Sequence, residues 1–287
     1  MKKILLLTDF SKASKKAILF AQTLFSDAAS EFHLLHSYTV DTSGSFGDTT
    51  FHQEAEKQVR QQLNSLLSEI TTQPVPDHHR YLTRTYPNTT VDAVEWILSK
   101  EHFDYVVLGA TGRGNNEYFG SVATSIIRTV KTSVLVVPET VPSRPVQRVV
   151  LATDYHSVNH LRSLRPLKEL LTMKGANLTF LTINGPEHDN SSVSEKSQQF
   201  AAYFDTINTD AFSIRNNEVE RGIDEYLATH PVDLLVTVPH HRSLLDLVTG
   251  RSITRKLAYK PRVPLLTVYD PEDLPIEIDE KDVYKAG

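Results

Sequence analysis

No cysteine occurs among the 287 residues. Disulfides and thiolate metal sites are therefore excluded, and the composition fits a cytoplasmic protein. No apolar run approaches the roughly eighteen residues that a membrane-spanning helix needs. Met1-Lys2-Lys3 is followed by only four apolar residues, Ile4 to Leu7, before Thr8-Asp9. That run is too short for a signal-peptide core and reads as a first strand. Positive charge is not in excess either: the net charge of −5 argues against nucleic acid as a bulk electrostatic partner. Also missing are the Gly-Lys-Ser/Thr ending of a P-loop and a Gly-x-Gly-x-x-Gly after the first strand. No Ser-His-Asp order, no paired carboxylates at a strand end and no zinc spacing marks a catalytic centre.

What is present is an alternation of buried strands and amphipathic helices. Hydrophobic residues make up 40% of the chain, enough for substantial cores. Strand-like runs occur at Ile4–Leu7, Glu31–His36, Arg80–Thr85, Asp104–Leu108 and Val134–Val137. Helical faces lie between them: Ala17 to Phe25, Val59 to Ile70, Val91 to Lys100 and Val122 to Lys131. Asn88 or Thr89 is the N-cap of the third helix. Tyr38 to Thr50 is rich in Ser, Thr, Gly and Asp and reads as a long mobile loop. This order predicts an α/β fold with a doubly wound parallel sheet covered on both faces.

After a proline-rich linker, Pro138 to Pro145, the pattern restarts. Arg148-Val149-Val150-Leu151-Ala152-Thr153-Asp154 mirrors Lys3 to Asp9, and Asn177 to Leu181 mirrors the second strand. Asp233 to Thr237 mirrors Asp104 to Leu108, and Pro264 to Val268 mirrors Ser133 to Val137. A repeat this long predicts two tandem domains, 1–140 and 146–270, each with a five-stranded sheet, and an acidic tail over 271–287. Pairing of Val134–Val137 with Leu265–Val268 inside the chain would hide two apolar edges and give a pseudo-dimer. A homodimer of whole chains stays open.

The most informative stretch is Asp104-Tyr105-Val106-Val107-Leu108-Gly109-Ala110-Thr111-Gly112-Arg113-Gly114, with Gly120-Ser121-Val122 opening the next helix. Strand, glycine loop and helix N-terminus can converge backbone N–H groups on an anion, with Arg113 adding charge. Asp9 ends the first strand. If that strand neighbours the fourth, Asp9 and the glycine loop flank one crevice at the switch point of the sheet. The bland alternative is ordinary turn chemistry after a strand and a simple helix start.

Together, the first strand ending in Thr8-Asp9, Gly109-x-x-Gly112, Gly120-Ser121 and a final Val-Leu-Val-Val-Pro strand resemble the universal stress protein family in its tandem form. The likeness covers residues 1–138 and, more weakly, 146–269. It implies the adenine nucleotide alpha hydrolase-like fold and ATP binding between strands one and four. By position, Thr8 and Asp9 would meet the adenine or ribose end. Leu108, Gly109, Gly112, Arg113, Gly120, Ser121 and Val122 would surround ribose and phosphates, with Mg²⁺ accompanying the nucleotide. Seven residues, Arg113 to Phe119, separate Gly112 from Gly120, two fewer than the family's nine. ADP, AMP or no ligand therefore stay open, as does a slow ATPase against a regulatory binding protein.

The second repeat reads Val238-Pro239-His240-His241 and Arg251-Ser252 at the matching positions. Side chains there should obstruct close backbone approach, so no ATP is expected in that half. The favoured reading of that half is a structural partner; the alternative is that Asp154, His156, His240 and His241 could bind a metal, or with Arg242, Arg251 and Arg255 an anion. His33, His36, His78 and His79 read as surface histidines of strands and loops.

Overall fold

The computed structural model describes residues 1–39, 49–72, 74–110, 120–142, 144–155, 158, 160–184, 190–238 and 262–269. Two parallel sheets expected from the repeat are continuous and form one ten-stranded sheet. The first half contributes β1 (Lys2–Leu7), β2 (Ser30–Tyr38), β3 (His79–Pro87), β4 (Tyr105–Gly109) and β5 (Ser133–Val137). The second contributes β6 (Arg148–Ala152), β7 (Asn177–Asn184), β8 (Thr209–Arg215), β9 (Leu234–Thr237) and β10 (Leu265–Thr267). Their order is β3-β2-β1-β4-β5-β10-β9-β6-β7-β8, so each half has the doubly wound arrangement and β1 lies beside β4. All pairings are parallel except β5 with β10, where Val136, Leu135 and Val134 face Leu265, Leu266 and Thr267 in antiparallel register. The predicted pairing of the two last strands is thus intramolecular.

Helices α1 (Lys12–Leu24), α2 (Thr49–Ile70), α5 (Arg165–Lys174) and α6 (Asn190–Tyr203) cover one face of the sheet. Helices α3 (Thr90–Lys100), α4 (Gly120–Thr129) and α7 (Val219–Thr229) cover the other. Strand side chains alternate between these layers: Ile4 and Leu6 enter the first, Leu5 and Leu7 the second. Burial on both faces explains why the central strands β4, β5 and β9 read as nearly unbroken apolar runs. Helix α1 starts where Ser11 accepts a hydrogen bond from the Ser14 amide, and α3 where Thr89 accepts from the Asp92 amide. Of the two N-cap candidates for α3, Thr89 is the one used.

The halves are also joined through the α1–α5 layer. Lys174, at the end of α5, donates to the Thr23 carbonyl, the Ser26 hydroxyl and the Asp27 carboxylate at 3.0, 3.2 and 2.7 Å. A cation from the second half thereby caps the C-terminus of the first helix, where the helix dipole favours positive charge. At the start of each half the same tie recurs. The Asp104 carboxylate accepts from the Lys3 amide, and the Asp233 carboxylate accepts from the Arg148 amide. Around Asp233, burial pushes the carboxyl up, but the Arg148 side chain, the Arg148 and Gln147 amides and Arg144 outweigh it. The net effect holds this acid below its usual range.

Two histidines depart from the surface reading. His33 is 1% exposed and His79 8% exposed. His33 stays buried because partners distant in sequence meet it. Its Nδ1 accepts from Arg84 Nε at 2.7 Å, so the proton sits on Nε2, which faces Glu31 at 2.6 Å. Arg84 continues into a bidentate pair with Glu101, and Lys3 also reaches Glu101. His79 packs edge-on against Phe32 and donates through Nε2 to the Phe25 carbonyl. Segment 40–48, most of the predicted loop, lies outside the described residues, as does the tail 270–287. The linker is anchored rather than free, with Val141 and Val146 buried in the α1–α5 layer.

Candidate functional site at the switch point

The carboxyl ends of β1 and β4 stand side by side, with Leu6 opposite Val107 in register. Thr8, Asp9 and Gly109 therefore emerge at one level of the sheet edge. Helix α4 begins at Gly120, and its first N–H groups lack intrahelical partners by construction. Gly112 and Arg113 lie outside the described residues, as do the side chains of Gly120's neighbour Ser121 and the loop between. Leu108 is 5% exposed and points into the α3–α4 layer, and Val122 packs on that layer too. Both can serve a ligand only through their backbone.

The turn after β1 is closely held. Thr8 is 6% exposed, its amide donates to the Leu35 carbonyl, and its hydroxyl accepts from the Phe10 amide at 3.0 Å. The same hydroxyl meets Ser14 Oγ at 3.2 Å. Thr8 is thus a buried brace of the turn rather than a free ligand hydroxyl. Asp9 Oδ1 accepts from the Ser11 amide at 3.1 Å. Phe10 has φ of 62°, a left-handed conformation that is costly for a bulky residue and persists only where neighbours enforce it. His36, on β2, donates from Nδ1 to the Thr8 carbonyl at 2.7 Å, and its ring lies 4.5 Å from that of Phe10. Sequence reading missed His36 in this role; the signal was its place at the carboxyl end of the strand next to β1.

Gly109 has a structural reason of its own. A Cβ there would lie 2.7 to 2.9 Å from the backbone of Ala13 and Ser14. The first turn of α1 presses directly on the end of β4, so glycine is needed for packing whether or not a ligand binds.

The repeat preserves the turn but not the glycine. Tyr155 has φ of 60° and its amide donates to Thr153 Oγ1 at 2.9 Å, as Phe10 does to Thr8. Val238, in the place of Gly109, packs in the α1–α5 layer. After Tyr155 the described helical structure resumes with a 3₁₀ turn at Leu161–Leu164, before α5 at Arg165. His156, His240, His241, Arg242, Arg251, Ser252 and Arg255 lie outside the described residues. Among the described residues no group of three or more His, Cys, Asp or Glu could hold a metal ion.

Beside Phe10, α1 and α2 line an open groove of about 540 Å³. Its walls are polar: Gln58, Gln61, Gln62, Ser65 and the Lys15–Glu69 pair, over Leu66.

With this geometry in view, a family model described as the universal stress protein family matches residues 1–138. Residues 1–138 belong to the universal stress protein family. No curated protein matches the chain. Solved structures extend the likeness over both halves. A universal stress protein from Archaeoglobus fulgidus is 14% identical, covers 92% of this chain and 97% of its own, and superposes with a TM-score of 0.72. A functionally unknown protein from Pseudomonas aeruginosa is 13% identical over 95% and 94%, with a TM-score of 0.63. The cytoplasmic domain of a prokaryotic cation chloride cotransporter is 13% identical over 94% and 95%, with a TM-score of 0.54. At these identities the likeness is one of fold, and the fold serves more than one setting. Among the described residues no helix is long and apolar enough to cross a membrane.

Proposed function

We propose that this chain is a regulatory stress-response protein of the cytoplasm that binds one adenine nucleotide, with Mg²⁺, in its first half. The observation that carries the reading is the adjacency of β1 and β4, which sets Asp9 beside Gly109 at the switch point. That is where open α/β sheets hold ligands. The N-terminus of α4 would supply N–H donors and a favourable dipole for phosphates, and glycine at 112 and 120 would place no side chain in their way. Arg113 would add charge, and Mg²⁺ would screen the polyphosphate from Glu117. Asp9 would accept from the ribose or base. The repeated turn supports two tandem domains, 1–140 and 146–270, of which the second takes no nucleotide in this way.

A second reading is favoured by Gly109, which close packing against α1 already explains: an interaction protein with a vestigial site. Calorimetric titration with ATP and Mg²⁺ separates the two. Saturable binding by the native chain, lost in Gly112→Val, supports the nucleotide reading. Flat titrations of both leave the interaction protein. Phosphate release that Gly112→Val abolishes would make the protein a slow ATPase instead. Gly109 is the wrong probe, because a side chain there disturbs α1 first.

A further inference from the structure

We propose that His36 is a positioning residue for the nucleotide site, acting through the Thr8-Asp9-Phe10 turn; this rests on the nucleotide reading above. Three observations converge on it. His36 Nδ1 must carry a proton, because its partner is the Thr8 carbonyl, which only accepts. That bond fixes the peptide immediately before Asp9. The ring of His36 also lies against Phe10, the residue immediately after Asp9, which is held at φ 62°. One side chain on β2 therefore grips both flanks of Asp9. The Thr8 amide also reaches β2, at the Leu35 carbonyl, while the bonds from Phe10 to Thr8 Oγ1 and from Ser11 to Asp9 Oδ1 are local. His36 thus ties the turn to the neighbouring strand by a side chain.

The second repeat supplies an internal comparison. In register, Leu35 stands opposite Leu7 and Leu181 opposite Ala152, so Thr182 occupies the place of His36. A threonine there has neither the ring nor the reach of the imidazole, so the histidine grip belongs to the first half. Holding a binding carboxylate in its bound orientation lowers the ordering cost of binding.

The test measures ATP–Mg²⁺ affinity of the full chain by calorimetry, with thermal melting as a folding control. His36→Phe keeps a ring on Phe10 but removes the donor, and about a tenfold loss of affinity is expected. His36→Asn keeps an N–H near the place of Nδ1, and affinity within about threefold of native is expected. A cycle with Asp9→Asn supplies the readout that a merely structural residue would not move. If His36 acts through Asp9, adding His36→Phe to Asp9→Asn costs little further affinity. Full additivity in the double variant overturns the proposal, as does native affinity in a folded His36→Phe. Absence of saturable binding in the native chain overturns the nucleotide reading itself, and the positioning role falls with it.

Discussion

At the scale of single residues, Gly109 shows how one atom can decide a local arrangement. Its missing Cβ lets α1 approach β4, and Gly109→Ala should force the helix turn outward. Overpacking of this kind costs about 1–3 kcal/mol, read as a lower midpoint in chemical denaturation. His33 supplies a second residue-scale prediction. Burial leads the effects that push its imidazole below the ordinary value of 6.5, outweighing the bond to Glu31. The unfolded chain therefore binds a proton that the folded chain refuses, so stability is full above about 6.5 and falls as pH drops below it. Denaturation midpoints at pH 7.5 and pH 5.5, chosen as about one unit either side of that value, should differ in the native chain. Part of that difference should vanish in His33→Gln. His79, held low mainly by burial as well, adds in the same direction.

At the scale of elements, the ends of helices carry most of what is specific. Lys174 is 7% exposed at its side chain and caps α1 from the other half. Lys174→Met keeps the aliphatic stem but leaves the Thr23 carbonyl and the Ser26 hydroxyl without this donor. About 1–2 kcal/mol of stability should be lost by thermal or chemical denaturation, against little for the same change at exposed Lys57. Elements were also where sequence was most legible. Continuous apolar runs named the central strands, whereas β8 with its exposed residues went unnamed, and Asn88 or Thr89 named the start of α3. The buried network was hidden, because Glu31, His33, Arg84 and Glu101 come from β2, β3 and the end of α3. Each alone looks like a surface residue, and only the parallel register of β2 with β3 brings them together. The second half confirms that the place is an architectural one. Phe212 occupies the register position of Arg84 and joins a stack with Tyr226 and His230, apolar contact replacing ion pairs. For the candidate site, sequence named the ends of β1 and β4 as neighbours, and the register places them so, while Gly112 lies outside the described residues. It could not show that Thr8 is a brace, that Leu108 faces the core, or that His36 reaches the turn, since those depend on which way each side chain leaves its strand.

At the scale of the whole molecule, one sheet and one shared layer of apolar side chains predict cooperative behaviour. Ile4, Tyr105, Leu135, Val149, Leu167 and Leu266 belong to a single buried cluster that crosses the boundary between the repeats. Trp96, the only tryptophan, sits on α3 in the first half, packed on Tyr86. Its fluorescence reports that half, whereas far-ultraviolet circular dichroism reports both. Urea transitions followed by the two signals should coincide. Separation of the two curves would mean that the halves unfold independently, despite the β5–β10 pairing.

The antiparallel seam between β5 and β10 has a consequence for how such a protein can change over generations. In a dimer of identical chains every substitution appears twice, so neither site can be altered without altering the other. Once the seam lies within one chain, each repeat mutates alone. The same antiparallel arrangement points the carboxyl ends of β4 and β9 in opposite directions, so the two edges do not share a mouth. Val238 could therefore replace a glycine, and the helix behind it could be redrawn, while Gly109 and the turn at Asp9 kept their form. A seam within one chain thus lets the two poles of the molecule answer to different constraints.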